Sequence, residues 1–387
     1  MAKLGMPSVI ISFEEAGITA IERSKRGIVA LILEEPKESI TKLLTDHQDT
    51  GGNQIKAITN PFTVYTTDDI PSELTEQNQE YLRMCLKGYV TTPYRIKVML
   101  QETSESSAAA TKWDASLKIL ATDRWDYLAI PTIEQAAVDT VSTWIKTNRE
   151  NKFKKIKAVL PGCTADYEGI VNFSNKKIKT ATKEYTPAEY TARIAGLICG
   201  TPMTISSATY APLSEVIDCD KYDLDENDEK VNAGEFFIWY DGKKYKMSRA
   251  VNSLITTTQG KQEGYQTIKI VDVMDMIYDD IRNTAQDSYI GKYTNDYDNK
   301  CLLITAITGY LKQLEADRLL QRDYSLVDID VEAVKNYQLS NGLYTKEELA
   351  DMSDLEIKKL DTKKKVFLKA QIKILDAMED VILPVSI

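Results

Sequence analysis

His47, in the stretch TDHQDTGG, is the only imidazole in the chain. A Ser–His–Asp or Cys–His relay, in which an imidazole takes the nucleophile's proton, would have to be built on this one side chain. Asp, Gln and Gly surround it, as in an exposed turn, so a loop position is expected instead. Histidine-rich zinc centres are excluded by count, and no C-x-x-C pair offers a cysteine-based one. The five cysteines, Cys85, Cys163, Cys199, Cys219 and Cys301, lie far apart and read as reduced thiols of a chain folded in the cytoplasm.

The acidic run DCDKYDLDENDEK (218–230) invites a calcium reading. With Asp223, Asp225 and Asn227 at loop positions one, three and five, Asp228 falls where the turn needs Gly, and Gly234 falls where a bidentate Glu is needed. The run is better explained as the solvated start of a helix. IGK at 290–292 is followed by Tyr293 and lacks the upstream Gly of a phosphate loop. Neither G-x-G-x-x-G nor G-x-S-x-G occurs. Asp279 beside Asp280 reads as an ordinary helix-surface pair. The chain lacks catalytic equipment, so neither an enzyme, a metal nor a cofactor is expected.

The elements that would position any such chemistry alternate. RGIVALIL (26–33) is a continuous apolar run, as in a strand buried on both faces. Further strands are expected at 62–67, 94–100, 125–131 and 155–161. Helices are expected at 72–88 with Ser72 as cap, at 109–121, and at 132–150 with Thr132 as cap. A helix over 186–200 has Thr186 as cap, Pro187 in its first position and Gly200 beyond its end. This rhythm implies a mixed α/β fold with a partly parallel sheet. EFFIWYDGKKYKM (235–247) reads as a hairpin turning at Asp241-Gly242. Long helices are expected over 268–290, with Ile270, Val273, Met274, Ile277 and Ile281 in one stripe, and over 296–320. VFLKAQIKIL (366–375) alternates as a strand, with Val366, Leu368, Ala370, Ile372 and Ile374 on one face.

The chain has 387 residues, 43% of them hydrophobic, and a net charge of −10. That length suits two or three compact units, and an acidic balance does not suit a nucleic-acid surface. No internal repeat or low-complexity linker suggests tandem domains. No apolar run approaches the ~18 residues of a membrane span, and no secretory signal is read at the start.

Both ends are apolar and alternating. MPSVIISFEE places Val9, Ile11 and Phe13 on one face, and DVILPVSI places Val381, Leu383, Val385 and Ile387 on one face. From the residues alone, these strands either close on their own domain or add to a neighbour's sheet, where main-chain hydrogen bonds give affinity and alternate side chains give specificity. Pro384 lacks an N–H, so its edge would face away from the ladder.

Three stretches, GMPSVIISFEEAGITAIERSKRGIVALIL (5–33), YIGKYTNDYDNKCLLITAITGYLKQL (289–314) and KVFLKAQIKILDAMEDVILPVSI (365–387), resemble the sheath protein of contractile phage tails and phage-tail-like bacteriocins of Gram-positive bacteria. The resemblance implies a core domain made from both ends of the chain: an arm at 1–24, core at 25–90, a middle α/β region at 91–250, C-terminal core at 251–378 and an arm at 379–387. It implies a structural subunit in a virion or tail-like particle, folded in the bacterial cytoplasm. Such subunits stack as rings of six around an inner tube and contract to drive it through a cell envelope. The implied partners are other copies of the chain, the tube protein, the baseplate and a tail terminator, with no nucleic acid and no membrane insertion. The arm role carries to Val9, Ile11, Phe13, Val381, Leu383, Val385 and Ile387, and the acceptor strand to Val366, Leu368, Ala370, Ile372 and Ile374. Lys358, Lys359, Lys363, Lys364 and Lys365 are candidates for tube contact. The alternatives are an α/β ligand-binding protein or enzyme, supported by the strand–helix rhythm, and another self-assembling tail component.

Overall fold

The apolar run near the start forms the strand Ile28–Glu35, nearly all of it buried, at the heart of a seven-stranded sheet. The computed structural model describes residues 20–21, 23–48, 54–103, 111–204 and 208–385. In the sheet, Ile28–Glu35 lies between Arg95–Glu102 and Tyr127–Ala129, both parallel to it. Lys157–Pro161, Ile170–Phe173 and Glu235–Phe236 continue the sheet in parallel on one side. Phe62–Val64 closes the other side antiparallel to Arg95–Glu102.

Alternation along the central strand assigns its side chains to two cores. Val29, Leu31 and Leu33 pack with residues of helices Glu76–Leu86 and Pro187–Cys199. Ile28, Ala30 and Ile32 pack with residues of helices Asp114–Leu120 and Gln135–Asn151. Helices on both faces are what a continuous apolar strand demands. At Gly196 the first two helices meet backbone to backbone, since a Cβ there would lie 2.0 Å from the Cys85 carbonyl oxygen.

The helix Pro187–Cys199 begins as its sequence indicates: Thr186 Oγ1 accepts the Glu189 N–H and the Glu189 carboxylate accepts the Thr186 N–H. Other starts shift, and the helix expected over 109–121 is Asp114–Leu120, with 109–110 outside the described residues. The helix expected from Ser72 begins at Glu76, because the Glu35 carboxylate, at the end of the central strand, accepts the Thr75 N–H (2.8 Å), the Thr75 hydroxyl (2.9 Å) and the Asn78 amide (2.9 Å). The helix expected from Thr132 begins at Gln135, because Ile130–Ile133 first closes a turn. The hairpin also differs. Tyr240 pairs with Tyr245 across a four-residue loop, where Asp241 Oδ1 accepts the N–H groups of Lys243 and Lys244. Glu235–Phe236 leaves the hairpin to join the large sheet.

The chain forms two compact units, both discontinuous in sequence. One comprises the sheet and its helices, within 24–279, together with the segment from Ile374 onward. The other comprises residues before Ser24 and Asp280–Lys373. Its helix Tyr297–Ala316 starts at the Asp296 cap and is followed by the strand Leu326–Ile329 and three short helices, Val331–Ser340, Lys346–Asp351 and Asp354–Lys359. Ile329, Val331, Val334 and Ile357 form one buried cluster in it, and Ile307, Tyr310, Leu311, Leu314, Leu319 and Leu320 are buried there as well. The helix expected over 268–290 is α-helical over Ile268–Thr284 and widens into a π turn at Ala285–Tyr289, where the Ile290 N–H reaches the Ala285 carbonyl. Gly291, at φ +77°, ends it.

Candidate assembly surfaces

The strand Leu368–Gln371 pairs antiparallel with Leu326–Ile329, in a register running from Leu326 opposite Gln371 to Ile329 opposite Leu368. Phe367 and Leu368 pack on the core of Ile329, Val334 and Ile357, which fixes one face. Among the described residues this sheet has only these two strands, so the outer edge of Leu368–Gln371 is unpaired. The strand is shorter than the alternation over 366–375 indicated. Leu368 and Ala370 lie in it, Val366 precedes it, and Ile372 and Ile374 follow it half-buried. Alternation marks which residues can share a face, but a strand extends only as far as a partner bonds to it.

Val381, Leu383 and Val385 are 81%, 77% and 75% exposed. Ile382 and Met378 are exposed further, at 90% and 94%. Residues 380–385 form no strand. Val9, Ile11, Phe13 and Ile387 lie outside the described residues. Exposed apolar residues scattered singly are ordinary; here five successive positions, 381–385, are exposed.

Of the five lysines, four face groups of their own unit. Lys358 Nζ donates to Asp328 (2.6 Å) and Lys363 Nζ to Asp361 (2.8 Å). Lys359 lies over the Tyr297 ring and Lys365 over the Tyr337 ring. The Asp328 carboxyl is held below its usual range, chiefly by the Lys358 hydrogen bond. Lys363 and Lys364 edge an open hollow of about 650 Å³ whose apolar lining includes Tyr289, Ile290, Tyr293, Leu303 and Val366.

His47 sits in a two-residue strand, with Nδ1 near the Thr45 carbonyl and Nε2 near Glu73, and these contacts raise its pKa. All five cysteines are free. Among the described residues no cluster suits a metal ion, and no helix is long and apolar enough to cross a membrane. The acidic run forms the helix Leu224–Asn232, capped by Asp223.

A buried ion network was missing from the sequence-based expectations. Asp272, Asp275 and Asp279 share one face of the helix Ile268–Thr284. Arg149 forks onto both Asp275 oxygens (2.8 and 3.0 Å), and Lys157 Nζ bonds Asp275 (2.7 Å) and Asp272 (3.0 Å). Arg26 joins Asp279 (2.8 Å) to Asp126 (2.7 Å), whose other oxygen accepts the N–H groups of Gly27 and Ile28. Burial works against the Asp275 charge, but Lys157 and Arg149 prevail and hold its pKa at about 2. Burial dominates at Asp272 and raises its pKa. Asp279 and Asp280 are therefore not surface decoration: Asp280 is buried and accepts the Tyr310 hydroxyl at 2.7 Å. The detectable signal was acid spacing of three and four residues on an otherwise apolar helix, with cations at distant strand and helix ends.

Comparison with known proteins places this architecture. The family profile of the phage tail sheath central domain matches residues 106–253, and that of the phage tail sheath C-terminal domain matches residues 261–387. A tail sheath protein of Clostridium phage phiCD119 is 34% identical over 380 residues, covering 97% of this chain and 98% of its own. The sheath tail protein of Desulfitobacterium hafniense superposes with a TM-score of 0.65 at 17% identity, covering 84% of this chain and 94% of that one. The anti-feeding prophage helical sheath in its contracted state superposes with a TM-score of 0.66 at 13% identity, over 99% of both chains.

Proposed function

Because this chain belongs to the phage tail sheath family, whose members are structural sheath subunits of contractile tails and injection systems, we propose that it polymerises through its ends as stacked rings of six around an inner tube. The observation that carries this reading is the pairing, in one chain, of an unpaired strand edge at Leu368–Gln371 with an exposed apolar tail at Val381–Val385. The tail of one copy adds to that edge in a neighbour, and Val9, Ile11 and Phe13 serve as the second arm. Burying each large apolar side chain contributes at most about 1.5–3 kcal/mol. Ordering the backbone costs about 1–2 kcal/mol per residue, so the tail holds only where a prepared edge supplies hydrogen bonds as well. Association with a baseplate and a terminator closes the polymer at its ends. Contraction repacks subunits between two arrangements without nucleotide hydrolysis, and the strand links keep them connected while they move. The solved anti-feeding prophage assembly, a helical sheath in its contracted state, supports the reading through its shared fold.

The test is electron microscopy of the full-length chain beside a truncation lacking 381–387, each alone and with a tube protein. Hollow sleeves from the full-length chain and isolated subunits from the truncation are expected. Sleeves from both would remove the C-terminal tail from the assembly.

A further inference from the structure

The C-terminal tail has a root, and the root is tied down. After Lys373 the chain joins the unit that holds the large sheet. There Glu379, its side chain only 16% exposed, accepts from Thr209 Oγ1 (2.5 Å) and pairs with the Arg249 guanidinium (Nε at 3.3 Å). Arg249 Nη2 also donates to Asp380 (2.5 Å). One guanidinium thus spans two successive carboxylates, and a hydroxyl seats the more buried one. The charge around the root is unbalanced. Asp376, Glu379 and Asp380 face Arg249 and the buried Lys269, whose charged form burial disfavours while Asp376 and Glu379 favour it. Glu263 lines the same crevice, an open space of about 820 Å³ against which residues 376–380 lie. Arg249 and Thr209 both contact the root where negative charge is in excess and open space lies beside it.

The next residue is the first of the bare apolar run. The tie therefore does not hide the tail: Val381 to Val385 stay exposed with the root bound.

We infer that Arg249 and Thr209 form a clasp that fixes the departure point of the C-terminal tail on its own chain, so that only the segment from Val381 onward searches for its acceptor on a second copy. This rests on the proposed arm role of the tail. A shorter free tether raises the effective concentration of the arm at a reachable site and reduces the chain that must be ordered on binding. Arg249 is a positioning residue, and the apolar tail makes the contact with the neighbour. Because the clasp is built from partly exposed charges, added salt weakens it.

The experiment compares the full-length chain with R249E, R249Q and the charge-conserving R249K, following sleeve formation by light scattering and electron microscopy with the tube protein present. R249E and R249Q should slow assembly about tenfold. R249K, which keeps a cation beside both carboxylates, should retain most of the rate, and thermal unfolding of the free subunits should be unchanged. In the free subunit, hydrogen exchange at 376–380 should quicken in R249E and R249Q and stay near the native rate in R249K. Assembly of R249E and R249Q at the full-length rate, or loss of rate and protection in R249K equal to that in R249E, overturns the clasp. The truncation lacking 381–387 keeps the comparison clean. If it assembles normally, the arm role itself fails; if it does not assemble while R249E and R249Q do, only the clasp fails.

Discussion

The strands Ile28–Glu35 and Leu368–Gln371 are treated oppositely by the molecule. Ile28–Glu35 is bonded on both edges and covered on both faces, and all but one of its residues are buried. Leu368–Gln371 is bonded along one edge, and only Leu368 is partly buried. The first belongs to a unit whose interior also secures four aspartates with Arg26, Arg149 and Lys157. The second belongs to the other unit, in a sheet of two described strands. Natural proteins usually cover or blunt an open edge. Among the described residues one strand is sealed on both edges and the other keeps one edge unpaired, and it is at that edge that the proposed tail would bond.

Damage to the sealed region should therefore unfold the subunit, and damage to the open region should leave it folded but unable to assemble. The largest effect is expected from Asp275→Ala, which takes the forked carboxylate from the buried Arg149 and leaves Lys157 with Asp272 alone. Removing one partner of a buried ion pair costs about 3–5 kcal/mol, measurable by urea unfolding. Loss below ~1 kcal/mol would mean that water or another acid compensates, and the sealed unit would be softer than its packing indicates. The same group sets an acid dependence. With a folded pKa of about 2 against an ordinary value near ~3.9, Asp275 contributes stability that is present above that ordinary value and lost as pH falls toward 2. Asp272 works in the opposite direction, since its raised pKa means that burial resists its charging as pH rises. Unfolding midpoints should fall between about pH 5 and pH 3 in the native chain, and fall less steeply in Asp275→Asn.

Gly196→Ala comes next. Its added Cβ would meet the Cys85 carbonyl at 2.0 Å, so the helices Glu76–Leu86 and Pro187–Cys199 must part. Overpacking of this kind costs about 1–3 kcal/mol, again read from urea unfolding. Lys358→Gln should cost at most ~1 kcal/mol, since its pair with Asp328 is partly exposed. Normal unfolding but weakened binding to a purified tube protein would mark Lys358 as a tube contact, and unchanged binding would confine it to its bond with Asp328.

What the sequence made legible follows the same division. The sealed strand was readable at 26–33 because burial on both faces leaves a continuous apolar run, and the helix after Thr186 was readable because its cap and its proline are local signals. The Glu35 bonds that move a helix start from Ser72 to Thr75 were not readable, since they join residues forty positions apart. Asp272, Asp275 and Asp279 were hidden for the same reason: their partners come from other elements, and an acid on a helix looks exposed until its cation is found. At the open surface the alternation of 366–375 correctly marked apolar residues capable of sharing a face, yet the strand stops at Gln371 because pairing, not pattern, sets its length. The exposed tail at Val381–Val385 was visible as composition, while the Arg249 contacts at its root were not, because they link positions more than a hundred residues apart.

The smallest expected effect on the subunit is also the sharpest test of the comparison. Leu383 is 77% exposed, so replacing it with Asp removes no buried contact within the chain and should shift unfolding by less than ~0.5 kcal/mol. On a neighbour's sheet the same carboxylate would have to leave water beside apolar residues without a cation, which strongly disfavours binding. Leu383→Asp should therefore give a subunit that unfolds like the native chain and forms no sleeves with a tube protein under the electron microscope. Ser386→Asp, on the opposite face of the proposed strand, should assemble more readily than Leu383→Asp. Equal assembly of the two variants would mean that the tail does not bind as a strand with one buried face, and the open edge at Leu368–Gln371 would then need a different occupant.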